Sequence, residues 1–360
     1  MPQFDVYGNF GISLEGRGKV YNRIKSTFDP FESDSVVDID VEITTNEHVK
    51  EPKVDSILGG PEEFYANSDD EFVFIRYGEP VIVSNDFNTI RCSPDAPPDF
   101  VRLLVEYQLR LKLLEMGWSL IHASGVRYNG ETIVFPAWRH TGKTNTMLTF
   151  LQNGASYLSD DRLFIREDGK VGGYPTDLHL MSYNYQSFPD LAPDSLVSEA
   201  RSLMSHKIND ITKSRSSIVS KGINLANEVV IAEDHWVSVD EKFPNAEIVL
   251  KDELDKIVLL RTTSADKPYI ETVAGNSLTD SLSSINYREW DLDLLEIGMA
   301  SKSLIDDINQ HGPVMSMIED QKKIFQSVAN EVDTAILHVP REEQWTPNTK
   351  DEISSLVCEL

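Results

Sequence analysis

"FPAWRHTGKTNTMLTFL", residues 135–151, decides how the chain is read. Gly142-Lys143-Thr144 is the end of the phosphate-loop pattern G-x-x-x-x-G-K-[ST]. The first glycine of that pattern falls at 137, where Ala137 stands behind Pro136. Trp138, Arg139, His140 and Thr141 fill the loop, and Asn145 follows it. In such a loop successive backbone N–H groups form a concave anion nest, and the following helix aims its N-terminus at the same point. Residues 137–145 are therefore the candidate phosphate cradle, with Lys143 reaching the β/γ-phosphates and the Thr144 hydroxyl ligating Mg²⁺. Ala137 is tolerated there only if its φ is negative. Pro136 stiffens the approach to the loop.

The flanks agree with this reading. "WSLIHASGVRY" and "ETIVFPA" are strand-like runs joined by Asn129-Gly130, a strong short-range hairpin signal. The strand leading into the loop is thus expected to pair antiparallel with its predecessor, unlike the parallel βαβ context of ordinary P-loop proteins. "TNTMLTFLQNGA" reads as a helix with Met147, Leu148 and Leu151 on one side, ended by Gly154. "SYLSDDRLFIRE" reads as a strand broken at Asp160-Asp161.

Farther out, residues 1–93 read as mostly strand, and "SPDAPPDF" (93–100) makes a boundary. The expected domains are a β-rich one over 1–95 and a nucleotide-binding one over 96–360. "DFVRLLVEYQLRLKLLEMGW" reads as an amphipathic helix with Leu103, Leu104, Tyr107, Leu111 and Leu114 on one face, Asp99 as N-cap and Gly117 as stop. "NEVVIAE" and "LDKIVLLRTT" read as strands, 275–331 as helical, and the chain closes with a strand "TAILHVP" and a helix "TKDEISSLVCEL".

Charge narrows the partners. Fifty-nine acidic against thirty-three basic residues give a net charge of -26, which argues against nucleic acid or an anionic membrane as a partner. The exception is 201–221, with Arg201, Lys207, Lys213, Arg215 and Lys221 against Asp210; it reads as a solvated loop or as a cationic flap over the site. The two cysteines form no metal or disulfide pattern, no basic-apolar leader opens the chain, and no apolar run of about 18 residues occurs. The expectation is a reduced, cytoplasmic protein, with a homo-oligomer left open.

Asp160 and Asp161 lie 16 and 17 residues beyond Thr144. Adjacent carboxylates suit divalent metal and general-base work in phosphoryl transfer, but an acidic turn has the same sequence. His122 lies on the strand expected beside the loop and is either a hydrogen-bonded core histidine or a site residue.

Together these stretches, "HASGVRYNGETIVFPAWRHTGKT" and "YLSDDRLFI", resemble the HPr kinase/phosphorylase group and its shorter Ser-kinase-like members, relatives of the ATP-type PEP carboxykinases. "YGNFGISL" and "DVEI" add weaker likenesses. The resemblance implies an α/β fold with α+β tendency: a P-loop core in a mixed, antiparallel-containing sheet. It implies ATP and Mg²⁺ as cofactors and phosphoryl transfer to a Ser or other hydroxyl of a protein, peptide or small molecule. Lys143 and Thr144 then take the phosphate and metal roles. Asp160 stands nearer the metal, Asp161 is the base, and His122 is a catalytic candidate near the phosphates. The chain departs from the group at Ala137. It has no clean third acid in "SYNYQSFPD", and "GYPTDLHL" carries Asp177 and His179 where an Arg is usual. Phosphorylase activity is accordingly not carried over. A catalytically weak nucleotide sensor or assembly subunit is the alternative, and a carboxykinase-like enzyme a third reading.

Overall fold

Asn129 and Gly130 take φ of 54° and 87°, the doubly left-handed turn that an Asn-Gly hairpin needs. They join β9 (Trp118–Tyr128) to β10 (Glu131–Pro136), which pair antiparallel from Glu131 opposite Tyr128 to Pro136 opposite Ala123. That register carries β10 back along β9 and delivers the loop beside Ala123. In this computed structural model the described residues are 1–36, 38–46, 49, 54, 56–59, 64–68, 71–76, 78–192, 235–288, 297–300, 303–304, 314–341 and 345–360. The segment 201–221 and the strand read at "NEVVIAE" lie outside them.

The N-terminal sheet contains β1 (Gln3–Val6), β2 (Phe10–Glu15), β3 (Val41–Thr45), β4 (Ser56–Gly59), β5 (Phe64–Ser68), β6 (Glu71–Arg76), β7 (Glu79–Ser84) and β8 (Thr89–Cys92). Its order is β1-β2-β3-β8-β7-β6-β5-β4, with β2–β3 and β3–β8 parallel and the rest antiparallel. One element here was not expected: α1 (Lys19–Phe28) buries Val20, Ile24, Thr27 and Phe28 along one helical face.

The second sheet continues with β11 (Ser156–Ser159), β12 (Arg162–Arg166), β13 (Lys170–Gly173), β16 (Lys251–Glu253), β17 (Lys256–Thr263), β18 (Tyr269–Thr272) and β19 (Asp333–Pro340). The order is β16-β13-β12-β9-β10-β17-β19-β18, and β11 pairs with β9. β10 has an antiparallel neighbour in β9 and a parallel one in β17, so the sheet is mixed and the fold is α/β. A small ribbon pairs β14 (Leu178–Leu180) with β15 (His235–Val237).

Side-chain alternation separates two buried layers. Ile133, Phe135, Val258, Leu260 and Leu337 face one side of the sheet. There they meet α3 (Lys143–Gln152), α4 (Ser182–Ser187), the single-turn α5 (Val239–Lys242) and the C-terminal helix. Val134, Ile257, Leu259 and Ile336 face the other side, against α6 (Gly275–Arg288) and α7 (Val314–Glu331). The C-terminal helix is α8 (Pro347–Cys358), capped by Thr346. No helix among the described residues is long and apolar enough to cross a membrane.

The helix read at 99–117 is α2 (Pro98–Glu115). Pro97 stands at the N-cap and contributes no side-chain bond. Asp99 lies in the first turn and accepts from Arg23, so it is not the cap expected. Gly117 ends the helix as expected, with φ of 76°. Nor is α2 half-exposed: Glu106, Gln108 and Arg110 are buried as well as the leucines. It lies between the N-terminal sheet and the start of β9, in one apolar cluster running from Phe4 to Trp118 and Phe164. Tyr7 anchors the contact by stacking on Trp118 at 5.4 Å and donating its hydroxyl to the Gly173 carbonyl at 2.9 Å.

Candidate functional site

β11 and β12 pair with the same edge of β9 and form one strand interrupted at Asp160-Asp161. The register shifts there: Ser159 faces Gly125, while Arg162 faces His122. The Ala123 N–H donates to the Asp161 carbonyl at 3.1 Å and holds the corner. β10 ends beside the same residues on the other edge of β9. Two register choices thus bring His122, the loop and both aspartates together, although they are far apart in sequence.

The positive φ values of the loop fall at His140 (59°) and Gly142 (99°), and Ala137 has none. Ala137 is fully buried and bridges to Leu260, continuing β10 alongside β17. The turn that a first glycine usually serves is made farther along, so alanine meets no backbone strain at 137. Gly142 is constrained twice. It is left-handed, and a Cβ on it would lie 2.8 Å from the Trp345 ring. Trp138, Arg139 and His140 are exposed at the loop surface, whereas Thr141 is buried. The His140 ring stands edge-on to Tyr183 at 6.3 Å.

Lys143 and Thr144 open α3. Ser124 Oγ donates to the Lys143 carbonyl at 3.3 Å. Lys143 Nζ donates to Asp161 Oδ1 at 2.7 Å and lies 3.1 Å from His122 Nε2. Asp161 is also 3.4 Å from His122 Nδ1 and 3.5 Å from Arg162 Nε. Thr144 Oγ1 donates to Asp160 Oδ1 at 2.9 Å. Asn145 departs from this arrangement: its side chain accepts from Asn184 at 2.7 Å and donates to Ser187 at 3.4 Å, so it ties α3 to α4.

The two aspartates titrate in opposite directions. Burial pushes Asp160 up to about 6, opposed by Lys143 and reinforced by the Asp161 charge. Burial also acts upward on Asp161, but Lys143, His122 and Arg162 overcome it and hold this carboxyl well below the usual range. The backbone N–H of His179 also donates to Asp160.

Thr144 and Asp160 are hard oxygen donors side by side, the type Mg²⁺ takes together with phosphate oxygens and water. Among the described residues no group of three or more His, Cys, Asp or Glu could hold a metal. The pair therefore fits a Mg²⁺ that arrives with phosphate rather than one held in an all-protein cage.

No family model matches the chain, and no curated protein matches it in sequence. Among solved structures, the HPr(Ser) kinase/phosphatase from Coxiella burnetii is similar at 10% identity and a TM-score of 0.23, over 54% of this chain and 99% of that one. A superposition of that size assigns neither fold nor function.

Trp345 carries no motif and packs on Gly142 from a segment remote in sequence, and the His179 backbone reaches Asp160 only through the fold. Ser124 lies inside the quoted His-Ala-Ser stretch but is given no role by the sequence reading. Arg162 lies in the quoted Asp-Asp-Arg stretch, but its buried partner Glu106 lies off the apolar face read for the helix.

Proposed function

We propose that this chain is a Mg²⁺-dependent phosphotransferase that moves the γ-phosphoryl group of ATP onto a hydroxyl of a protein, peptide or small molecule. The observation that carries this reading is the convergence of Lys143, Asp161 and His122 at the start of α3, beside the Thr144–Asp160 pair. A loop that only binds nucleotide has no need of two carboxylates poised with opposite proton affinities. The order of strand, hairpin, loop, helix and broken Asp-Asp strand also supports an HPr-kinase-like P-loop core.

The residues divide the work. Backbone N–H groups of residues 138–144 and the α3 N-terminus receive the phosphate chain. Thr144 and Asp160 would hold Mg²⁺, which would neutralise charge on the phosphate oxygens. Lys143 gives up Asp161 for the phosphates. Asp161 thereby loses its nearest cation, gains proton affinity and becomes the base for the acceptor hydroxyl, with His122 beside it to orient the carboxylate. Arg162 keeps Asp161 from drifting toward Lys143 once the two separate.

The test is incubation with γ-labelled ATP, Mg²⁺ and fractionated hydroxyl-bearing acceptors over a range of salt. Label on an acceptor through a phosphate ester, lost in Asp161→Asn, supports the reading. Saturable ATP binding with no transfer to any fraction overturns it in favour of a nucleotide sensor.

A further inference from the structure

The small ribbon of β14 and β15 touches the site through one backbone amide and carries an aromatic stack beside it. The His179 N–H donates to the Asp160 carboxylate, so it points away from β15. His179 stands opposite Trp236 in the ribbon. In a pair of that kind, without mutual backbone bonds, the side chains stand closest. Here the two rings lie 4.6 Å apart and 16° from parallel. Leu178, Leu180 and Val237 project to the opposite face of the ribbon and are buried in the layer that holds α3. That packing fixes the ribbon and turns the stack outward. Trp236 is 61% exposed, more than any other aromatic side chain among the described residues. With His179 on one face, that exposure leaves the other face of the indole to solvent.

The corner at Asp160-Asp161 places the stack relative to the two substrates. Asp161 meets Lys143, His122 and Arg162. Asp160 meets Thr144 and the His179 amide instead. The stack therefore belongs to the side of the metal pair, whereas the acceptor belongs to the side of Asp161. A triphosphate seated on the α3 N-terminus, with its metal at Thr144 and Asp160, carries its base one ribose beyond the α-phosphate. The platform tethered to Asp160 is flat, uncharged on its open indole face and accessible. The other aromatic pair at the site, His140 and Tyr183, meets edge-on at 6.3 Å and presents no such flat surface.

We propose that the His179–Trp236 stack is the base-binding platform of this site and takes the purine ring of ATP on the open face of Trp236. This rests on the phosphotransferase reading only in naming ATP as the ligand, and it adds where the nucleoside end is held. Phosphate contacts and base contacts are then separate: the loop holds the one, and a ribbon remote from it in sequence holds the other.

The experiment measures binding of Mg-ATP and of Mg-tripolyphosphate to the full chain by calorimetry. Tripolyphosphate keeps the phosphate chain and lacks the nucleoside, and no phosphoryl transfer is read. The wild type is expected to bind ATP at least about tenfold more tightly than tripolyphosphate, the order of effect that stacking a base on an aromatic side chain supplies. Trp236→Ala is expected to lose most of that preference with its tripolyphosphate affinity unchanged, and Trp236→Phe to regain it. ATP, and not tripolyphosphate, is expected to quench indole fluorescence in the wild type, and the quench is expected to vanish in Trp236→Ala. An undiminished preference for ATP in Trp236→Ala, or an equal loss for both ligands, would overturn the platform and leave the phosphate cradle standing. So would loss of the preference in Trp138→Ala in place of Trp236→Ala, which would put the base against the loop. A wild type that binds neither ligand would overturn the cradle, and the platform with it.

Discussion

Lys143 Nζ stands 2.7 Å from Asp161 Oδ1, so the lysine assigned to phosphate is neutralised by the aspartate assigned to the acceptor. The two roles exclude each other until an anion competes for the ammonium. In the proposed mechanism nucleotide arrival would be the event that frees Asp161, so the base would stay idle while no phosphoryl donor is present.

Asp161→Asn isolates the chemical step. Transfer is expected to fall by about 10²–10⁴-fold, the usual range for loss of a general base. Affinity for Mg-ATP is expected to hold or rise, because Lys143 no longer leaves a carboxylate to reach phosphate. Rapid-quench kinetics beside calorimetry separate the two effects. A parallel loss of affinity and rate would mean that Asp161 shapes the loop instead.

Asp160→Asn should trade activity for stability. The folded proton affinity of Asp160 lies near pH 6, above the free carboxyl value of about 3.9. A raised acid contributes stability that is fully present below about pH 4 and lost as pH rises through about 6. At about pH 8 its buried charge costs on the order of 2–3 kcal/mol, which the amide removes while still accepting from Thr144. The variant is expected to melt several degrees higher at about pH 8, with the gap closing near pH 4, while Mg²⁺-dependent transfer is lost. Parallel melting curves for the two proteins across that pH range would contradict the assignment.

Two backbone substitutions test the loop geometry. Ala137→Gly should leave ATP affinity within about twofold, because the left-handed positions are His140 and Gly142. Gly142→Ala should weaken it by at least about tenfold and cost about 1–3 kcal/mol of stability, since φ is 99° and the new Cβ meets Trp345. Equilibrium binding and denaturant unfolding read both. Tighter binding by Ala137→Gly would mean that the loop changes shape when it closes on phosphate.

Much of the site's frame was legible because it is local. Asn129-Gly130 fixed a hairpin, Gly142-Lys143-Thr144 a loop and helix start, and Asp160-Asp161 a break in an apolar strand. What stayed hidden depends on packing between distant segments. Glu106 lies off the apolar face read for the helix, and it is buried with Arg110 because Arg162, Leu120 and Phe164 of the second sheet pack against that side of α2. Asn145 was expected at the loop, but α4 supplies Asn184 and Ser187 and turns its side chain away. α1 was missed because its apolar spacing is short and lies between stretches with strand alternation.

Titration of Mg-ATP into the wild type and Lys143→Ala by calorimetry tests the central claim most directly. The wild type is expected to bind one equivalent in a Mg²⁺-dependent manner. The variant, confirmed folded by its near-UV spectrum and melting curve, is expected to bind at least about a hundredfold more weakly, the loss of a charge-assisted contact of about 3 kcal/mol. Equal affinity in the two proteins, or no binding by the wild type, would contradict the phosphate-loop assignment.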